Sequence, residues 1–156
     1  MLQVDRVEQL MAEVGPAADL LVIDAYPSEG MWHIAVDEDT ELIIEMAPAR
    51  GVLVVMGQIG KPADGDPKAL YELFLRYAHV WHASDGLRMS LDAPGGTLWL
   101  LFDCAAQDIS PAEFGGLLTS FAARLRAWRE IVAANPGVPA EPQRLEDMLN
   151  PGLLRG

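Results

Sequence analysis

The fold is indicated most strongly by residues 31–59, the stretch MWHIAVDEDTELIIEMAPARGVLVVMGQI. It contains three apolar, β-branched runs, Met31–Asp37, Thr40–Met46 and Gly51–Ile59, and the gaps between them are turn-sized. Runs of this kind pair as neighbouring antiparallel strands. A fourth run, Asp19–Tyr26, precedes them and ends at a proline- and glycine-containing turn. The pattern therefore predicts an antiparallel meander.

Helical periodicity flanks this meander on both sides. Residues 3–14 place apolar side chains at helical spacing, and Gly15-Pro16 is expected to end that helix. A second helix is predicted over 67–82, with proline at its first position. A third is opened by the capping box Ser110-Pro111-Ala112-Glu113 and is expected to reach about residue 134.

Two more strands complete the element order. Leu87–Leu91 and Thr97–Cys104 flank a glycine-rich hairpin loop. The order is then α-βββ(β)-α-ββ-α, a single α+β domain with an antiparallel sheet and three helices over residues 1–134. The proline-rich segment 135–156 is expected to be a tail, mobile at its end.

The composition excludes several classes of function. The 156 residues carry 23 acidic and 11 basic side chains, for a net charge of −12, so a basic footprint for nucleic acid is missing. No apolar run is long enough for a membrane span, and the N-terminus does not resemble a signal peptide. One cysteine, Cys104, allows no internal disulfide. We therefore expect a cytoplasmic protein without membrane insertion.

The negative charge is concentrated in the first third of the chain. Ten carboxylates and no lysine or arginine lie between Arg6 and Arg50, and Asp37, Glu38 and Asp39 form the densest group. Two interpretations stay open. The acidic face keeps the protein soluble, or it attracts a neutral or basic polypeptide.

No catalytic motif occurs in the chain. Nucleophile elbows, phosphate-binding loops, dinucleotide fingerprints and zinc-protease motifs are all missing from the sequence. His79 and His82 have a spacing that can share a metal, with Asp85 and Cys104 as further ligands, but histidines on a helix surface are far more common. We expect no enzyme, no cofactor and no metal; an enzyme or metal protein using these histidines is the least favoured alternative.

Apolar residues occupy both faces of the predicted strands. A sheet of this kind needs cover on both faces. Three helices cover one face and part of the second, and the rest is a candidate interface. The aromatic middle helix suits self-association, and a two-fold dimer is the commonest closed solution. In the alternative, that helix covers the second face completely.

Five segments in this order resemble a known family. They are MWHIAVDEDTELIIEM, GVLVVMGQIGKP, ALYELFLRYAHVW, DGLRMSLDAPGGTLWLLFD and ISPAEFGGLLTSFAARLRAWREIV. Over about residues 5–133 the chain resembles the class I type III secretion chaperones, the family of the Tir chaperone. The resemblance implies a cytosolic homodimer without catalysis. Such a dimer holds the N-terminal segment of one or more secreted virulence effectors in an extended, non-globular state and releases it at the secretion apparatus.

The resemblance also assigns residues to surfaces. The dimer contact would use the middle helix, at Leu70, Leu73, Phe74, Tyr77 and Trp81. Apolar client grooves would draw on the first helix and the meander, at Val4, Val7, Met11, Trp32, Ile34, Ile43 and Val55. For each groove residue, packing in the core is the equal alternative. The alternative function is an interaction module of similar fold without secretion clients.

Overall fold

A computed structural model describes residues 2–62, 67–79, 84–92 and 96–134. Its elements in chain order are α1 Val4–Ala18, β1 Val22–Tyr26, β2 Met31–Asp37, β3 Thr40–Ala47, β4 Val52–Gly60, α2 Lys68–His79, β5 Arg88–Leu91, β6 Leu98–Cys104 and α3 Pro111–Ala134. The six strands form one sheet in the order β1-β2-β3-β4-β6-β5. The predicted α+β class, with three helices and an antiparallel sheet, is confirmed. Tail 135–156, loop 93–95, Trp81 and His82 lie outside the described residues.

The described residues fall into two compact units. The first contains residues 2–57 and 101–123, and the second contains the described parts of 58–100 and 124–134. The division falls inside β4, β6 and α3, so no linker separates the two units.

The sheet of the first unit has two different faces. The register pairs Trp32 with Ile44, and Ile44 with Val55, so these three fully buried side chains share one face. They form the core of the unit with the buried sides of α1 and of the first part of α3. On the opposite face Ile43 and Met56 pair and stay half-buried. That face is therefore apolar and incompletely covered within the unit.

Helix α1 continues past the predicted stop at Gly15-Pro16. The helix includes Pro16 and ends only at Asp19, which adopts a left-handed conformation with φ 53° and donates its N–H to Gly15 O. Proline lacks the N–H that would bond to the preceding turn, and this loss is tolerated because Pro16 lies in the exposed last turn. The predicted end was therefore wrong by one turn, and β1 begins at Val22 rather than Asp19.

The predicted capping box of α3 is present. The hydroxyl of Ser110 accepts the N–H of Glu113 at 3.2 Å, and the Glu113 carboxylate accepts the Ser110 N–H at 2.9 Å. The Ser110 hydroxyl and backbone N–H together hold the pKa of the Glu113 carboxyl below its ordinary value. The two residues satisfy donors that a helix start leaves without partners.

Helix α2 packs against α3 inside the second unit. Phe74 and Tyr77 meet the ring of Trp128 edge-to-face, with centroid separations of 5.3 and 5.0 Å. Leu70 and Leu73 are fully buried on the same side of α2. This aromatic cluster is the core of the second unit, since aromatic pairs add to ordinary burial.

Candidate functional site

An open groove of about 620 Å³ lies between α1 and β1 in the first unit. It runs along both elements, because its lining comes from the length of α1, from the link after it and from β1. Its lining residues are Glu8, Met11, Ala12, Gly15, Pro16, Asp19, Leu20, Leu21, Val22, Ile23, Ala25 and Trp32. Most of these side chains are apolar or small, so the groove suits apolar side chains of a ligand.

The floor of the groove belongs to the core and the rim is exposed. Met11 and Trp32 are buried at its base, whereas Leu21 and Val22 are 57% and 51% exposed. Gly15 lies beside β1, since a Cβ placed there would be in ordinary van der Waals contact with Ile23 Cδ1 at 3.4 Å. The backbone of α1 therefore comes close to the strand, and apolar surface is left open to solvent at the rim.

Strand β1 is an edge of the sheet. It pairs with β2 on one side, and it stands first in the strand order of the described chain. Alternate residues of an edge strand turn their backbone N–H and C=O groups outward, where another strand can pair with them. Side chains on the Ile23 and Ala25 face of such an added strand would point toward the groove, because Ala25 pairs with Trp32.

Among the described residues that line the groove there are two carboxylates, Glu8 and Asp19, at the two ends of the stretch of α1 that it follows, and no lysine, arginine or histidine. Glu8 lies in the first half of α1 and Asp19 at its C-terminal cap. Residues 1–57 hold eleven carboxylates and two arginines, a net charge of −9. The groove thus lies in the most negative part of the chain.

The structure places the predicted client residues at different depths. Met11 and Trp32 line the groove. Val7, Ile34 and Val55 are buried in the core, which favours the packing alternative for them. Val4 is exposed at the start of α1, and Ile43 is half-buried on the opposite sheet face. Client contact itself stays a prediction for all seven.

Sequence reasoning missed the rim of this groove. The sequence pattern places Leu21 and Val22 in a predicted strand, and their exposure depends on β1 being an edge. The only available signal was the strand-like segment between the first helix and the meander.

The predicted acidic group lies at the turn between β2 and β3. Asp37 Oδ1 accepts the N–H of Asp39 at 3.0 Å, and Glu38 and Asp39 are exposed. Beside this turn, His33 Nδ1 lies 2.8 Å from Glu41 Oε1, and the His33 ring meets Tyr26 edge-to-face. His33 is half-buried in the sheet.

Four residues of the predicted dimer contact lie inside the protomer. Leu70, Leu73, Phe74 and Tyr77 are at most 7% exposed, and Trp81 is outside the described residues. The dimer itself stays a prediction. The side of α2 that faces solvent carries Leu75, 74% exposed, with the half-buried Tyr71 four residues before it.

The remaining candidates for chemistry form no reactive centre among the described residues. Cys104 is buried, and burial raises the pKa of its thiol to about 11, which disfavours the nucleophilic thiolate. Within the described ranges no three His, Cys, Asp or Glu side chains are grouped so that they could hold a metal ion. In the same ranges, none of the helices combines the length and apolarity that a membrane crossing requires.

Comparison with known proteins identifies the family. The model of the Tir chaperone protein (CesT) family matches residues 21–129, which is most of the chain. The chain belongs to the Tir chaperone protein family. The resemblance predicted from the sequence is confirmed. The groove of this family member extends beyond the matched range, since α1 precedes residue 21. A search of curated proteins finds no match to the chain.

Solved structures share the fold of this Tir chaperone family member. One is the HopA1–SchA chaperone–effector complex, with a TM-score of 0.65 and 17% sequence identity over 80% of this chain and 94% of that chain. Another is the ExsC–ExsE complex, with a TM-score of 0.69 and 18% identity over 87% of this chain and 100% of that chain. At these identities the likeness concerns the fold.

Proposed function

We propose that this protein is a type III secretion chaperone that binds the N-terminal segment of one or more secreted effectors in the groove between α1 and β1. It keeps that segment non-globular and releases it to the secretion apparatus. The observation that carries the proposal is an open apolar groove beside β1, an edge strand of the described sheet, in a member of a chaperone family. A chaperone–effector complex among the similar structures supports the same function.

The groove suits an extended chain better than a folded domain. A client strand that pairs with β1 satisfies its own backbone groups by β-augmentation, and every second side chain then enters the groove. A segment held in this way cannot fold onto its own protein. Ordering a disordered client costs free energy, so a large wrapped interface beyond this groove is required.

We extend the proposal to a cytoplasmic homodimer that contacts its partner through the exposed side of α2. Tyr71, Leu75 and Ala78 follow one another at intervals of four and three residues, so they share one side of the helix. Of the predicted dimer residues that the structure describes, Leu70, Leu73, Phe74 and Tyr77 are buried, and Phe74 and Tyr77 pack on Trp128 of α3. A contact on the exposed side leaves the aromatic core of the protomer intact.

The experiment is capture of the client by rim variants. Tagged full-length protein is expressed in its native cytosol under secretion conditions, and co-purified proteins are identified and then digested by limited proteolysis. Leu21→Asp places a charge on the apolar rim, on the face of β1 that carries Ile23 and Ala25, and Val22→Asp places one at the rim on the alternate face; both positions are exposed. Leu91→Asp is the matched control, because Leu91 is 49% exposed on β5 and lies outside the groove.

The expected result is a protected N-terminal segment of one secreted protein, bound by wild type and Leu91→Asp. Each rim variant should lose affinity, and Leu21→Asp at least about tenfold, since burial of one large apolar side chain contributes roughly 1.4 kcal/mol or more. Equal capture by all three variants would move the client site away from α1 and β1. Recovery of an intact folded partner would favour the interaction module.

A further inference from the structure

The two carboxylates of the groove are uncompensated. In the part of the chain that the structure describes, neither Glu8 nor Asp19 forms an ion pair or a side-chain hydrogen bond. Glu13 accepts from Gln9 at 2.9 Å and Glu41 pairs with His33, but neither of these partnered acids lines the groove. Within the described ranges, the groove ends therefore carry charges that no side chain pairs with.

Asp19 stands where a cation would be favoured. It caps the C-terminus of α1, the negative end of the helix dipole, and the last turn of α1 has no basic residue. The carboxylate adds to the partial charge of the free carbonyls at that end. A lysine or arginine brought there from a ligand would meet both.

The spacing of the two carboxylates fits a β-strand. Eleven residues of helix separate Glu8 from Asp19, which corresponds to about 16 Å along the axis. In a strand paired with β1, the first, third and fifth residues point toward the groove, and the first and fifth are about 13 Å apart. Long cationic side chains cover the difference, while the third side chain enters the apolar middle of the groove, whose base is formed by Met11 and Trp32.

We infer that the groove selects a cationic, amphipathic client strand, with lysine or arginine at two positions four residues apart and an apolar residue midway between them. This specificity rests on the proposed function and names the chemical class of its client. The apolar centre supplies affinity through burial. The two cations supply orientation and discriminate against acidic segments, for which like charges at both ends would be unfavourable.

The test uses a displayed library of random fifteen-residue segments selected on the full-length protein. Wild type is compared with the double variant Glu8→Gln plus Asp19→Asn, which removes both charges. Asparagine tolerates the left-handed conformation at position 19, so the cap is retained. The control is Asp5→Asn plus Glu13→Gln, which gives the same net charge and changes α1 only outside the groove.

Wild type and the control should enrich segments with the cation–apolar–cation pattern. The double variant should enrich apolar residues without the cations, and the best wild-type segment should bind it about fivefold more weakly, as two exposed ion pairs predict. That segment should also lose affinity for wild type as salt rises.

Two results would overturn the inference, and they are distinguishable. Enrichment of apolar strands without cations by wild type would reject the charge selection and leave the proposed function standing. If wild type enriches no segment beyond the Leu21→Asp variant, the groove is not a peptide site, and the proposed function fails with the inference.

Discussion

The contact between α1 and α3 supports the sharpest stability prediction, at Gly115. A Cβ at this position would lie 2.6 Å from the Cβ of Ala18, and 3.6 Å from both Ala18 Cα and Val14 Cγ2. Carbon atoms attract best at about 3.5–4.0 Å, so Gly115→Ala forces the helices apart. Overpacking of this kind costs about 1–3 kcal/mol.

The neighbouring glycine isolates that cost. Gly116 lies in the same helix, and a Cβ there meets nothing within 4 Å. Both substitutions gain the same helix propensity, up to about 1 kcal/mol, so the difference between the two variants measures the clash alone. Gly116→Ala should be more stable than wild type, and Gly115→Ala less stable than Gly116→Ala by about 1–3 kcal/mol.

The assay is urea unfolding at matched protein concentration, because dimerisation would make the midpoint concentration-dependent. Replacing Ala18 with glycine removes the opposing Cβ, so Ala18→Gly should recover stability only in the Gly115→Ala background. Gly115→Ala and Gly116→Ala of equal stability would show that the two helices are further apart than described. Ala18 directly precedes Asp19, which caps α1 and lines the groove, so Gly115→Ala should also weaken client binding.

Two further predictions concern α2 and Cys104. Sedimentation equilibrium should show that Leu75→Asp converts the dimer to a folded monomer. Leu73→Asp should instead unfold the protomer, because Leu73 is fully buried. A dimeric Leu75→Asp protein would place the interface elsewhere. Burial raises the pKa of the Cys104 thiol from 9.0 to about 11, so its contribution to stability is fully present below pH 9 and is lost as the pH rises toward 11. Wild type should lose stability over that pH range relative to Cys104→Ala. At pH 8, iodoacetamide should modify the Cys104 thiol far more slowly in native protein than in unfolded protein. Equal modification rates in the two states would contradict the burial of Cys104.

Much of the fold was predictable because local signals agreed with one another. β2 was predicted at its observed bounds, since its β-branched run ends in turn residues on both sides. The start of α3 was predictable because the capping box is a contact between residues three apart, and such a contact depends on local sequence. The end of α1 was not predictable in this way. A proline ends a helix only where the loss of its hydrogen bond is unfavourable, and Pro16 lies in an exposed last turn.

The candidate site was less predictable than the fold. Periodicity shows that Leu70, Leu73, Phe74 and Tyr77 share a side of α2, but apolar side chains are equally suited to a partner and to Trp128 of the same chain. The groove has the same ambiguity, since Met11 and Trp32 read as core residues and the exposed rim reads as an ordinary strand.

The types of the elements, their order, the acidic character and the family resemblance were predictable from the sequence alone, because each depends on local sequence or on composition. The tertiary structure was needed to show which apolar side chains pack inside the protomer and which stay exposed to solvent. That β1 is an edge, that α1 leaves a groove beside it, and that Glu8 and Asp19 stand at its ends all depend on how distant segments pack. The burial of a side chain depends on which surfaces pack together. An apolar pattern in the sequence does not specify which surface covers a given side chain.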